Sequence, residues 1–308
     1  MPVYDLAILG GGPAGVSGGI YAARKKLKTI FITKDFQSQS TVSPDIQNWV
    51  GTPSISGQEL ASSFEKHLRT YAGEHLTIQT GEYIKKVTRG DDAVFTIETD
   101  KNTYTAKTIL IATGSHRRKL DIPGADTFEN KGITYCATCD GPLFSGQDVA
   151  VIGGGNAGFE TAAQLSAYCK SVTLLHHRDT FKADPITVEK VLAKENVKAI
   201  TNAKTLEVKG DAFAHTLVYS ENSGEPKELA VTGIFVEIGA VPTTEYVKDV
   251  VELDEYNRIT IDPWTQSAST KGAWAAGDCT NAHYHQNNIA AGDAIKALED
   301  IYNYLHTK

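Results

Sequence analysis

The sequence predicts an α/β protein with two Rossmann-like nucleotide-binding domains, each carrying a small antiparallel β element. Three observations lead there. Two glycine-rich loops, Gly10-Gly11-Gly12-Pro13-Ala14-Gly15 and Gly153-Gly154-Gly155-Asn156-Ala157-Gly158, lie a domain-sized interval apart. Each follows an apolar run and opens a stretch rich in small residues, the order of a β-turn-α-β nucleotide unit. Between the loops sits Cys136-Ala137-Thr138-Cys139-Asp140, two thiols with an acid directly behind them. The 308 residues suit two domains, and a hydrophobic content of 41% is enough for two cores.

Val3 to Leu9 is apolar apart from Tyr4 and Asp5, as expected of a strand covered on both faces of a parallel sheet. After the first loop, residues 16–28 read as a helix and 29–33 as the second strand. The order returns as a strand at 148–152, the second loop, a helix at 159–168 and a strand at 171–176. Apolar runs at 108–114 and 274–278 end in small residues, including Ala112, Thr113, Gly114, Gly277 and Asp278. Such endings suit strands that stop beside a bound nucleotide. Residues 83–107 alternate polar and apolar between turn signals and read as an antiparallel hairpin, and 205–236 repeat that pattern. A C-terminal helix is expected over 290–304. Crossings near 114–117 and 240–244 would give a first nucleotide domain from 1–114 and 244–308, and a second, bearing the cysteine pair, from 115–243.

The net charge is −7 and no basic cluster dominates, which argues against nucleic-acid binding. A local patch for a small acidic protein partner stays open. The 4 cysteines are too few for a disulfide-stapled secreted scaffold, so a reducing, cytoplasmic setting is expected. The N-terminus has no basic start, carries Asp5 and runs straight into a glycine loop, unlike a signal peptide. No apolar stretch approaches ~18 residues, so no membrane span is expected.

In the first loop, Gly10 permits the tight turn, Gly12 lets a pyrophosphate approach the backbone, and Gly15 lets the helix pack on the strand. The bland alternative is a glycine-rich turn with no ligand. The second strand would normally end in an acid for the adenosine ribose; here it ends Ile32-Thr33-Lys34, and Asp35 comes late. Gly153, Gly155 and Gly158, with Asn156 and Ala157, repeat the mechanics. The strand after them ends in His177, Arg178 and, further on, Lys182, cations that lean towards the 2′-phosphate of NADPH. A solvated basic helix start is the alternative there.

A zinc site needs about four ligands, and Cys169 and Cys279 are isolated, with no second paired motif. A structural disulfide fits the expected compartment poorly. Redox catalysis remains, with Asp140 able to move the proton that thiol–disulfide exchange requires or, alternatively, to cap the turn at Gly141-Pro142. Two nucleotide loops around a dithiol suggest an electron path of nicotinamide, flavin, disulfide and outside partner. Cys169 and Cys279 read as packing residues, and His283 and His285 as polar surface.

These residues together resemble the low-molecular-weight thioredoxin reductase family over essentially the whole chain. The most specific stretches are Ala112-Thr113-Gly114-Ser115, Ile122-Pro123-Gly124, and Lys131 through Phe144 around the cysteines. Gly277-Asp278-Cys279-Thr280 and Tyr284-His285-Gln286 extend it. Phe159-Glu160, Glu207 to Gly210, Gly233 to Gly239 and Ile289 to Gly292 are closer to the reductase portion of the alkyl hydroperoxide reductase flavoprotein. The resemblance implies FAD at the first loop, with Gln39, Asn48, Gln286 and Asn287 joining Gly10, Gly12, Pro13, Ala14 and Gly15 around it, and a nicotinamide nucleotide at the second. It implies that Cys139 lies against the flavin, Cys136 attacks the partner disulfide and Asp140 donates the proton. It also implies a nicotinamide domain that rotates between two poses, and a homodimer.

That flavoprotein carries an extra N-terminal thioredoxin-like region. This chain starts at the first glycine loop, so its acceptor is expected to be a separate thioredoxin-like or glutaredoxin-like protein. The family's Gly-Gly-Gln flavin contact is Gln37-Ser38-Gln39 here, its His-Arg-Arg with a later Arg is His176-His177-Arg178 with Lys182, and its Arg before the C-terminal Gln is His285. NADH or ferredoxin as donor and a peroxiredoxin-system acceptor therefore stay open beside NADPH and thioredoxin. A flavin-binding redox sensor without turnover is the alternative of another class.

Overall fold

The structure is a computed structural model that describes residues 3–43 and 45–307; Met1 and Pro2 of the N-terminal reading lie outside them. The chain forms two compact units, one from residues 1–116 with 241–308, the other from 117–240. The chain passes between them over Ser115–Arg117 and Ala240–Pro242, two short strands that pair with each other.

The first unit is built on a seven-stranded sheet. Its main path runs Leu76–Thr80, Thr29–Thr33, Val3–Leu9, Thr103–Ile111, Phe95–Thr99, Ile84–Arg89. Val3–Leu9 pairs in parallel with both Thr29–Thr33 and Thr103–Ile111. Alternation along this strand sends Leu6 and Ile8 to one core and Ala7 and Leu9 to another, all four fully buried. On the first face, Pro13–Arg24 packs with the long helix Asn287–Thr307, where Ala294, Leu298 and Ile301 meet Leu6, Ile8 and Leu110.

Two helix bounds are corrected here. The helix expected over 16–28 runs from Pro13 to Arg24. Proline fits the first helical turn, where its missing N–H costs nothing, and Lys26, at φ 57°, ends the helix early. The C-terminal helix is longer than expected, Asn287–Thr307. The hairpin read at 83–107 forms, Ile84–Arg89 pairing antiparallel with Phe95–Thr99, and it belongs to the main sheet. Thr103–Ile111 is antiparallel to Phe95–Thr99 along its first half and parallel to Ala273–Ala275 along its second, so the antiparallel strands extend the main sheet.

The second unit has a five-stranded parallel sheet in the order Val197–Ile200, Ser171–Leu175, Asp148–Ile152, Gly233–Val236, Ile133–Thr134. A separate antiparallel sheet holds Ala203–Gly210, Ala214–Glu221 and Pro226–Ala230. The pattern read over 205–236 thus stops at Ala230: Gly233–Val236 is buried at every position and belongs to the parallel sheet. The helix read at 159–168 is Asn156–Leu165. Among the described residues no helix is long and apolar enough to cross a membrane.

Candidate nucleotide cleft and redox pair

In the first unit a cleft of about 620 Å³ opens at the carboxyl ends of the parallel strands, within the usual range for small-molecule sites. Gly10, Gly12, Pro13 and Ala14 line it with Gln39, Ala112, Thr113, Gly114, Gly277, Asp278 and Asn287. Gly15 acts from behind: a Cβ there would stand 1.9 Å from the Gly10 carbonyl oxygen. Gly10 itself has φ 119°, open to glycine at little cost, and a Cβ on it would meet Ala112 O at 2.3 Å. Gln39 Nε2 donates to Asp278 Oδ2 at 3.1 Å and to Ser115 Oγ at 3.0 Å. Ser40 Oγ donates to Asn287 Oδ1 at 2.8 Å. Asn48 and Gln286 lie outside the lining but together, Asn48 Nδ2 donating to Gln286 Oε1 at 3.3 Å.

The cleft also holds residues that motif reading passes over. Thr33, Lys34 and Asp35 line it from the second strand end, so the late acid does reach the cleft. Glu82, Tyr83, Thr243 and Tyr246 line it from elsewhere. Hydrogen bonds from Thr99, Asn102 and Tyr104 overcome burial and hold the Glu82 carboxyl below its ordinary range. Tyr246 OH lies 2.9 Å from Thr113 Oγ1, and burial pushes its phenol up.

Helix capping separates the two glycine-loop helices from Gly57–Ala72 and Pro185–Leu192. Gly57–Ala72 begins with a capping box of Ser56 and Glu59, and Pro185–Leu192 with Asp184 accepting from Ile186 and Thr187 N–H groups. Pro13–Arg24 and Asn156–Leu165 begin on Gly12 and Gly155, with no side-chain cap and no acid in the first turn. Their free N–H groups and helix dipole suit an anion such as a pyrophosphate. These cradles, which a Cβ would fill, fit a dinucleotide in each unit.

The second loop repeats the first. Gly153 has φ 131°, and a Cβ on Gly158 would stand 2.0 Å from Gly153 O. Asn156 Oδ1 accepts from Asp184 N–H at 2.8 Å, while Ala157 is exposed. Just past Ser171–Leu175, His176 turns inward and is buried, its Nε2 3.0 Å from Thr180 O. Burial pushes its imidazole pKa down. His177, Arg178 and Lys182 turn outward and are exposed, with Arg178 Nε donating to His177 Nε2 at 3.2 Å.

Cys136 and Cys139 are joined as a disulfide, with Cα atoms 5.3 Å apart. Cys136 caps the single turn Ala137–Asp140, and its Sγ accepts from the Cys139 N–H at 3.2 Å. Both cysteines are half-buried. Asp140 Oδ2 accepts from Thr134 Oγ1, and the Asp140 N–H donates to Cys136 O at 3.0 Å. Thr138 Oγ1 donates to Gln164 Oε1 at 3.1 Å, and Tyr168 OH reaches Ala137 O at 3.4 Å, so the turn rests on the helix that opens at the second loop. Sequence reading leaves Thr134 and Tyr168 out; the signal for Thr134 is a hydroxyl at a strand end two residues before the first cysteine. The remaining thiols are buried: desolvation pushes Cys169 up to about 11 and Cys279 to about 12.

The profile of the family described as pyridine nucleotide-disulphide oxidoreductase matches residues 4–294. The chain is 39% identical over 306 residues to a component of the alkyl hydroperoxide reductase of Escherichia coli, covering 98% of this chain and 58% of that protein. It is 36% identical over 304 residues to an NADH dehydrogenase of Bacillus subtilis, again covering 98% and 58%. The chain thus spans about 58% of the length of these curated relatives. Among solved structures, a thioredoxin reductase from Streptococcus pyogenes is similar at 31% identity and a TM-score of 0.89, with 99% of both chains covered. One from Giardia duodenalis gives 29% and 0.92 over 99% of both.

Proposed function

Since the chain belongs to the pyridine nucleotide-disulphide oxidoreductase family, and is by that membership an oxidoreductase, we propose that it passes electrons from NADPH through FAD and the Cys136–Cys139 pair to a separate thioredoxin-like or glutaredoxin-like protein. The observation that carries this reading is the pairing of two uncapped glycine-loop helices with a bonded, half-buried cysteine pair. A flavin held in the first unit would relay two electrons between a nicotinamide nucleotide and the disulfide.

The chain's own residues do the rest. Gly10, Gly12, Pro13, Ala14 and the helix start they open would hold the pyrophosphate of FAD. Gln39, Ala112, Thr113, Gly114, Gly277, Asp278 and Asn287 would wall its cleft, with Gln286 and Asn48 bridged behind. Gly153, Gly155, Asn156, Ala157 and Gly158 would hold the nicotinamide nucleotide. His177, Arg178 and Lys182, exposed beyond the strand end with no acid pointing outward among them except Asp179, would take a 2′-phosphate. Once the pair is reduced, the Cys139 N–H aimed at Cys136 Sγ favours the thiolate there, and this thiolate attacks the partner. Cys139 resolves the mixed disulfide, and Asp140 handles the proton. A homodimer in a reducing, cytoplasmic compartment is part of the same reading.

The names of the relatives favour a second donor and acceptor, NADH and a peroxiredoxin-system protein. A ferredoxin-flavin thioredoxin reductase from Clostridium acetobutylicum, similar at 26% identity and a TM-score of 0.53, adds ferredoxin as a donor to test. Stopped-flow flavin reduction with NADPH, NADH and reduced ferredoxin separates these. Reduction by NADPH, followed by turnover of a thioredoxin panel that Cys136→Ser abolishes, supports the first reading. Flavin that stays oxidised with both pyridine nucleotides rejects it, and undiminished turnover by Cys136→Ser rejects the dithiol route.

A further inference from the structure

Thr134 belongs to neither glycine loop nor the cysteine pair, yet its hydroxyl ties the redox turn to the sheet. It ends the strand Ile133–Thr134, which lies parallel to Gly233–Val236, and is 6% exposed. Its Oγ1 donates to Asp140 Oδ2 and accepts, at 3.4 Å, from the N–H of Cys136. One buried hydroxyl therefore touches both ends of the turn. A hydroxyl offers one donor and two acceptor lone pairs, so it can stay bonded to the carboxyl group whether that group is ionised or protonated.

We propose that Thr134 is a positioning residue that aims the Asp140 carboxylate for proton transfer during dithiol–disulfide exchange. This rests on the reading of Asp140 as the proton handler.

The exchange moves two electrons and two protons. It starts from a Cys136 thiolate, a Cys139 thiol and a protonated Asp140. The thiolate attacks one partner sulfur: a Cys136–partner bond forms, the partner's S–S bond breaks, and the departing partner thiolate takes the proton of Asp140. Cys139 then gives its proton to Asp140, and its thiolate attacks Cys136 Sγ. The Cys136–Cys139 bond forms, the mixed bond breaks, and the second partner thiolate takes that proton. The cysteine pair ends oxidised, the partner dithiol reduced, and Asp140 ionised. In both steps the carboxyl group must meet a sulfur at short range, and misplacing a proton carrier by a fraction of a bond length slows such transfers.

The test uses the whole flavin-loaded enzyme, pre-reduced and freed of reductant, with hydroxyethyl disulfide as a small alkyl acceptor in single turnover. Thr134→Val keeps the shape and removes the hydroxyl; a rate loss of about 10-fold is expected. Thr134→Ala serves as the second hydroxyl-free form should the valine variant not fold. Thr134→Ser restores the hydroxyl and is expected within about 3-fold of wild type. Asp140→Asn is the reference, and adding Thr134→Val to it should cost nothing further. A hydroxyl-free variant at full rate beside a slow Asp140→Asn overturns the role of Thr134 alone. Asp140→Asn at full rate overturns the reading of Asp140 beneath it. Losses that multiply in the double variant, or a serine variant as slow as the valine one, make Thr134 a packing residue and overturn the proposal.

Discussion

Glu237 accepts a 2.9 Å charge-assisted hydrogen bond from Arg117 Nη1 while only 6% of its side chain reaches solvent. Thr161 Oγ1 donates to its other oxygen at 2.9 Å. Glu237 follows the strand Gly233–Val236, and its backbone carbonyl oxygen lies 2.1 Å from where a Cβ on Gly153, in the second glycine loop, would stand. Removing the cation, as in Arg117→Met, leaves a buried charge half-satisfied. A loss of about 2 kcal/mol is expected in urea unfolding, below the ~3–5 kcal/mol of fully buried pairs because the guanidinium is partly solvated.

Burial pushes the Glu237 carboxyl above its ordinary range, against the opposing pull of Arg117 and Thr161 and with a small push from Glu160. The folded protein therefore holds this proton more tightly than the unfolded chain. This group's contribution to stability then falls as pH rises from the unfolded value through the raised folded one. Glu237→Gln removes that dependence. Its stability relative to wild type should improve as pH is raised from the ordinary glutamate value through the raised folded one. A difference that does not change with pH anywhere above the ordinary glutamate value would contradict the burial argument.

Gly15→Ala and Gly158→Ala make a matched pair, since each Cβ would strike the carbonyl oxygen of the first glycine in its own loop, at 1.9 Å and 2.0 Å. The first variant should purify without its flavin absorbance. The second should stay yellow and lose reduction by the pyridine nucleotide. Flavin retained at wild-type stoichiometry by Gly15→Ala would speak against the cleft as the flavin site.

Arg178→Ala and Lys182→Ala should each raise the KM for NADPH by about 10-fold or more, the size of one lost charged hydrogen bond, and leave the KM for NADH nearly unchanged. Equal effects on both nucleotides would assign these exposed cations to a solvated surface.

Thiol titration of the native oxidised protein should find almost no reactive sulfur. Cys136 and Cys139 are bonded, and burial holds Cys169 and Cys279 in the thiol form, with values near 11 and near 12. Titration after unfolding should release Cys169 and Cys279. Rapid labelling of Cys279 under native conditions would mean that its pocket opens.

The glycine loops and the cysteine pair are legible in sequence because their chemistry depends on residue type at fixed local spacing. Gly15 is informative from spacing alone: its contact with Gly10 arises within one turn. Glu82, Tyr83 and Tyr246 are not legible in this way, because only the sheet order brings them to the loop at Gly10. Thr134 lies two residues before Cys136 and is legible as a nearby hydroxyl; only the structure shows that it bonds Asp140. Helix ends miss by a few residues where single backbone geometries, Pro13 at the start and Lys26 at φ 57°, outweigh the apolar pattern. Asp35 reads as slightly late, and it lines the cleft.

The packing of Asn287–Thr307 on Pro13–Arg24 has a consequence for the growing chain. During synthesis, residues 117–240 leave the ribosome as a complete parallel sheet with its own core, while the earlier residues 1–116 still await their last helix. Residues 117–240 are thus able to mature before residues 1–116. A nascent chain stalled before Asn287 would leave the helix face at Gly18, where a Cβ would meet Ala294 at 4.0 Å, without its cover, an apolar face of the kind that holdase chaperones grip.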